Sequence, residues 1–481
     1  MQWLAALAAL TLLRLIVAAA TPLAPDEAYY WVWSTALAGG YFDHPPMVAL
    51  WIKAGTLLAG ASELGIRLAG PLAAAGGSVL LMRAADTFFP AERPGLRAAV
   101  LLNATLLFGI GAATMTPDTP LLFFWTVTLW ALSRLWAESD GRWWLLAGAA
   151  FGCAMASKYT AVLMVPGVLV WLLVVPTLRV WLRRWQLWAG VGMALAVFSP
   201  VLAWNAAHGW ISFVKQGGRV ANWDPSRALQ FLAELIGGQI GFATPGIALL
   251  CAAGLWAAAR GARRGEPGMV LLAGLTLIPA AVFVWSALGD RVQANWPSIL
   301  YPQAAIAAGL LAGRWQRLLR PSVALGLGMT ALVWVQGTLA PLALPMRADP
   351  TLLRLGGWAE LAAEVETTRA LEGAGYIVAD NYGIAALLAW LTPGVAPVLG
   401  ADPRWALFGL PDADATAVAE AGILLRSARR AGGPDPREWK DIREIGTLSR
   451  SRRGMVAETF RLYRVTAIAD RATLALLPRP H

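Results

Sequence analysis

The sequence predicts an all-α polytopic membrane protein with a small α/β domain at its C-terminal end. Three observations lead there. Of the 481 residues, 58% are hydrophobic and only 14% charged, where a soluble protein carries about 25% charged residues. Apolar runs of bilayer-spanning length, about 20 residues, recur as far as residue 344, and the mean hydropathy is +0.56. Residues 345–481 then return to soluble composition, with 17 Lys/Arg against 16 Asp/Glu. A soluble enzyme, a coiled coil and a disordered scaffold are excluded by the same figures. Cys153 and Cys251 lie inside apolar runs, so neither a disulfide framework nor a zinc cluster is expected.

Taken in order, the apolar segments are 3–21, 68–89, 96–115, 119–136, 143–158, 161–178, 186–204, 236–258, 268–288, 299–313 and 322–344, about eleven spans. Ala18-Ala19-Ala20 resembles a signal-peptide cleavage site, but no Lys or Arg precedes the first run and Arg14 interrupts it. An uncleaved first helix is expected. Residues 1–344 form the membrane domain, and 22–67 are its first external loop. Within that loop MVALWIKAGTLLAG is short for a span and carries Lys53, which suits a helix lying at the interface.

The connecting loops alternate in charge. One set carries Arg83, Arg93, Arg97, Arg134, Arg142, Arg179, Arg183, Arg184, Arg260, Arg263, Arg264, Arg314, Arg317 and Arg320, against five acids. The positive-inside rule makes these loops cytoplasmic, with the N-terminus inside and residues 345–481 outside. The net charge of +10 is then mostly topology, and no nucleic-acid partner is needed to explain it.

The other set of loops holds the chemistry. Asp26 and Glu27 follow Pro25 just after the first span, and Asp43 and His44 stand in YFDHPP. Asp118 lies between Pro117 and Pro120, Lys158 in SKYT, and His208, Lys215 and Arg219 in the stretch 204–227 that begins WNAAHGW. Ionisable groups at membrane depth are costly and default to function. A carboxylate here can take a hydroxyl proton, while Arg and Lys suit a phosphate. Each residue also has a plain explanation: a solvated loop acid for Asp26-Glu27, a helix cap for Asp118, snorkelling for Lys158, lipid headgroups for His208, Lys215 and Arg219. Trp31, Trp33, Trp204, Trp210, Trp223 and Trp296 read mostly as an interfacial aromatic belt.

In the tail, GYIVADNYGIAALLAWL reads as a short buried strand, a turn and a helix. ETFRLYRVTAI alternates as a strand does. No internal repeat or low-complexity tract is present.

Asp-Glu after a first span, then YFDHPP, TPDTPLLFFW, SKYT, WNAAHGW and ANWP in that order, resembles bacterial glycosyltransferase family 39. These are relatives of the protein O-mannosyltransferases and the lipid A aminoarabinose transferases. The resemblance covers roughly residues 1–310, and DNYGIAALLAWLTPG is similar to the same group. It implies a GT-C-type helical bundle, a polyprenyl-phosphate sugar donor and an inverting transfer at the outer face of a bacterial inner membrane. It implies Asp26 as general base, Glu27 orienting acceptor or base, and Asp43 and Asp118 supporting the acceptor and sugar. His44, Lys158, His208, Lys215 and Arg219 would meet the donor phosphate. The family commonly has Glu-Lys where this chain has Asp43-His44; an imidazole keeps the Coulomb term only when protonated. Relatives differ in metal use, and Asp26, Asp43, His44 and Asp118 could hold a divalent ion, although without a fixed ligand spacing.

The acceptor expected is a glycolipid or lipopolysaccharide, since the external domain is small and no added sugar-binding module is evident. The alternative acceptor is a protein hydroxyl. A lipid transporter or flippase would place ionisable groups at the membrane midplane in two related halves, which this chain does not show.

Overall fold

A computed structural model describes residues 2–221, 223–392, 394, 396–413, 418–468 and 474–480, with the side chains of 219–221 left aside. The chain separates into two compact units. One contains residues 1–16, 42–48 and 69–332; the other contains 17–41, 49–68 and 333–481.

The first unit is helical throughout, because a chain in hydrocarbon must satisfy its backbone hydrogen bonds internally. Each of the eleven predicted segments overlaps helix. Among the described residues, six helices are long and apolar enough to cross a membrane: Gln2–Ala20, Glu63–Phe88, Trp185–Ala207, Pro245–Arg263, Pro267–Ala287 and Arg314–Thr338. Tyr159–Val174 and Pro176–Arg183, which meet at a bend of 113°, make a seventh only when taken together as one span. Local chemistry breaks other segments. The stretch 96–115 divides at Thr105, whose extended backbone ends Gly95–Ala104 and whose Oγ1 accepts the Phe108 amide to start Leu106–Gly111. The stretch 236–258 divides at Thr244, which takes φ +68° ahead of Pro245.

Small residues let these helices approach closely. A Cβ on Gly148 would meet the Gly190 carbonyl oxygen at 2.0 Å, so Arg142–Met155 and Trp185–Ala207 pack backbone to backbone there. The core runs through Leu81, Trp125, Leu129, Leu271 and Ile299. Many other apolar side chains, such as Trp188, Leu195 and Leu325, stay exposed on helices of spanning length, as lipid-facing residues do. Arg14 is buried and donates to Asn103 Oδ1, which explains how the first helix tolerates a cation.

The second unit contains the expected C-terminal α/β domain. Its strands are β1 (Tyr376–Ala379), β2 (Val398–Gly400), β3 (Ala421–Ser427), β4 (Trp439–Arg452), β5 (Met455–Ala467) and β6 (Ala475–Leu476). They form one mixed sheet in the order β4-β5-β3-β1-β2-β6. The β1 strand runs parallel to β2 and β3, while β5 is antiparallel to β3 and β4. Tyr376, Val378, Leu424, Tyr463 and Val465 fill its core. The GYIVAD strand, the Tyr382–Leu391 helix and the ETFRLYRVTAI strand stand where the sequence puts them.

The first external loop contains a further helix ahead of the interfacial one. Residues Pro25–Thr35 form a helix, with Pro at its start, Asp26 and Glu27 in its first turn, and the Ala24 amide donating to Glu27 Oε2. Its aromatic residues are buried among those of the same unit. Tyr29 meets Tyr382 at 4.4 Å and Trp405 at 5.3 Å; Trp31 meets Trp390 at 4.7 Å; Trp33 stacks on Tyr41 at 4.3 Å. Trp31, Trp33 and Trp204 are therefore packing residues and do not belong to the predicted belt, whereas Trp210 and Trp223 are exposed.

Candidate active site

In the second unit, adjacent residues Asp26 and Glu27 have opposite environments. Glu27 is 2% exposed and forms a two-pronged ion pair with Arg67: Arg67 Nε donates to Oε1 at 2.7 Å and Nη2 to Oε2 at 2.6 Å. The fully buried Arg67 also donates to the carbonyls of Ala18, Thr21 and Pro22. One guanidinium thus fastens the end of the first helix, the following turn and the Pro25–Thr35 helix together. Asp26, on the next position, is 41% exposed. Glu27 faces inward as an anchor, and Asp26 stays partly exposed.

In the first unit, five of the sequence motifs come together. The Asp118 carboxylate begins the Asp118–Glu138 helix but does not cap it. It accepts from Lys158 Nζ at 2.7 Å, Asn295 Nδ2 at 2.7 Å and Ser298 Oγ at 3.2 Å. TPDTP, SKYT and ANWP are joined at that one side chain, and Lys158 is buried there rather than snorkelling. Tyr159 continues the network: its hydroxyl lies 2.5 Å from Ser212 Oγ and accepts from Asn205 Nδ2 at 3.4 Å. Those two residues belong to the WNAAHGW segment and the following Ile211–Ala221 helix.

The YFDHPP motif joins from the other side. Asp43 Oδ1 accepts from Lys215 Nζ at 2.5 Å, and the Asp43 carbonyl accepts from Gln216 Nε2. The Lys215 ammonium also sits 3.9 Å from the centre of the Phe42 ring. The Met47 amide donates to the Ala156 carbonyl at 3.0 Å, tying this motif to the segment that carries Lys158. His44 stands in the bend before Pro45-Pro46 and the Met47–Ala59 helix.

One predicted residue, His208, is not brought into this network. His208 ends the Trp185–Ala207 helix, stacks on Trp204 at 4.2 Å and bonds the Trp204 carbonyl through Nδ1. The side chain of Arg219 lies outside the described residues. Sequence reasoning missed Arg67, Asn295, Ser298, Asn205 and Tyr159. A charged residue at the mouth of an apolar run would have pointed to Arg67; Asn295, Asn205 and Tyr159 lie inside motifs already quoted, and Ser298 directly follows ANWP.

Among the described residues, no three His, Cys, Asp or Glu side chains gather where a metal ion could be held. Asp43 and Asp118 each take a lysine, so the network is built of carboxylate–ammonium pairs. Such pairs present cations whose charge is half used. A phosphate can compete for them, and each released carboxylate can face developing positive charge.

The chain is similar to several known proteins. The family described as dolichyl-phosphate-mannose-protein mannosyltransferase matches residues 43–204. The lipid A galacturonosyltransferase RgtD of Rhizobium johnstonii is 30% identical over 378 residues, which are 76% of this chain and 77% of the relative. The crystal structure of ArnT from Cupriavidus metallidurans bound to undecaprenyl phosphate matches with a TM-score of 0.64 at 17% identity, over 98% of this chain and 99% of that one. Its apo state gives 0.60 at 16% identity, over 96% and 98%. At these identities the two structures establish a common fold.

Proposed function

This chain is a membrane glycosyltransferase of the GT-C superfamily, in the family of the lipid A galacturonosyltransferase RgtD, and from that premise we propose its reaction and the roles of its residues. It transfers a sugar, galacturonic acid by likeness to that relative, from a polyprenyl-phosphate donor to a lipid A-type acceptor at the outer face of the bacterial inner membrane. The N-terminus is cytoplasmic and the C-terminal domain periplasmic.

The acceptor oxygen attacks the anomeric carbon from the face opposite the phosphate, and its proton passes to Asp26. The anomeric carbon–oxygen bond breaks, and its electron pair leaves on the polyprenyl phosphate with inversion. Cations aimed at a leaving group lower this barrier, and carboxylates stabilise the oxocarbenium character that develops at the sugar. Lys158 and Lys215 supply the phosphate-binding charge, with His44 beside Asp43. Asp43 and Asp118 hold those lysines in place and face the sugar. Glu27 positions the base through Arg67 and does not itself meet the acceptor. The observation that carries this reading is the exposed Asp26 next to the buried Glu27–Arg67 pair: a carboxylate offered to substrate on a helix that cannot turn.

A lipid acceptor is favoured over a protein one because the relative matched along three-quarters of this chain acts on lipid A. The test compares lipid extracts by mass spectrometry from cells with the gene, without it, and with Asp26→Asn. The deletion and the substitution are both expected to lack one uronic acid on lipid A. Full restoration by Asp26→Asn overturns the base assignment.

A further inference from the structure

The C-terminal part of the second unit places an arginine on Asp26. Arg354 Nη1 lies 3.4 Å from Asp26 Oδ2. The short Pro350–Leu355 helix that carries it is fixed at both ends. At its start, buried Asp349 accepts from the amides of Thr351 and Leu352, the Thr351 hydroxyl, Gln336 and Arg452. At its end, Arg450 is 1% exposed, lies 4.0 Å from the centre of the Trp358 ring, and donates to the carbonyls of Leu352, Leu353 and Gly356. Gly357 follows at φ +72°, so close to β4 that a Cβ would meet the Ser451 oxygen at 2.2 Å. Two buried charged groups thus hold six residues whose one arginine remains 64% exposed.

An exposed ion pair of this kind adds little stability. Its consequence is chemical. The carboxylate that must take the acceptor's proton already accepts a hydrogen bond from a guanidinium. A phosphate or carboxylate draws a guanidinium away, because Arg binds either with two parallel hydrogen bonds. Arg354 is open to water, where an acceptor headgroup is met.

We propose that Arg354 senses the acceptor: it holds Asp26 until an acidic group of the glycolipid, phosphate or carboxylate, takes over its guanidinium. The base is thereby reserved for acidic acceptors. This rests on the transferase reading above and adds no covalent step, since the hydroxyl proton still passes to Asp26.

The test uses the full-length protein in proteoliposomes with polyprenyl-phosphate galacturonic acid as donor. Two acceptors are compared: lipid A bearing its phosphates and carboxylates, and the same lipid after dephosphorylation and methyl-esterification. Wild type is expected to prefer the acidic lipid about tenfold in kcat/KM, the worth of one charge-assisted hydrogen bond. Arg354→Ala is expected to lose that preference in two ways: acceptor KM rises on the acidic lipid, and kcat rises several-fold on the neutral one, where the Arg354 hydrogen bond no longer competes for Asp26. Arg354→Lys keeps part of the preference. The inference is overturned if wild type shows no preference, if Arg354→Ala retains it, if both acceptors lose rate equally, or if the change appears in donor KM. A wild-type protein that glycosylates neither lipid refutes the transferase reading itself.

Discussion

Glu27 and Asp26 share a dipeptide, yet removing their charges should do different things. Glu27→Gln leaves the Arg67 guanidinium buried without its counter-ion. Breaking such a pair by removing one partner costs about 3–5 kcal/mol. Thermal unfolding in detergent should therefore show Glu27→Gln and Arg67→Met strongly destabilised and Asp26→Asn unchanged, while Asp26→Asn alone combines normal stability with lost turnover. A Glu27→Gln protein as stable as wild type would remove the anchoring role. The sequence held the dipeptide but not the distinction, because Arg67 lies 40 positions away and no local pattern pairs the two. The lysines show the same limit. Their motifs were legible, but their carboxylate partners, Asp118 40 residues from Lys158 and Asp43 172 residues from Lys215, were not.

The elements obey local chemistry where they end and tertiary packing where they lie. The apolar runs and the C-terminal strand and helix were readable because their periodicity and composition suffice. The Pro25–Thr35 helix was not, because nearly every residue after Asp26 is buried and no polar stripe marks a helical period. The Pro350–Leu355 helix offers a prediction at this scale. Burial pushes the Asp349 carboxyl up, but hydrogen bonds from Thr351, Gln336 and the Leu352 amide, with the nearby Arg452 charge, outweigh it and hold it below the usual carboxylate range. A carboxyl lowered in the folded state stabilises it fully above the unfolded value of about 3.9 and loses that contribution as pH falls further. Urea denaturation of the wild type should thus show an acid-sensitive component below about pH 4. Asp349→Asn should be less stable at neutral pH and lack that component; an equal acid response in both would place it elsewhere.

Across the whole molecule, the proposed orientation rests on the fourteen arginines of alternate loops. Single cysteines introduced at 140 and 265 should resist a membrane-impermeant thiol reagent in intact spheroplasts, while cysteines at 290 and 433 should be labelled. The reverse pattern would invert the topology. The count of spans was the least readable feature at this scale, since Thr105, Thr244 and the bend before Pro176 interrupt runs whose hydropathy is continuous.

The membership of the second unit has a consequence for how the protein is made. Residues 17–41 belong with residues 333–481, and Asp26 and its arginine stand 328 positions apart in the chain. At about 5–20 residues per second, translation leaves the Pro25–Thr35 helix waiting roughly 15–65 s for its cover. During that interval Tyr29 and Trp31 lack the aromatic partners that bury them in the finished fold. A chain stopped before residue 345 would therefore leave the Pro25–Thr35 helix without the aromatic cover that Tyr382, Trp390 and Trp405 provide.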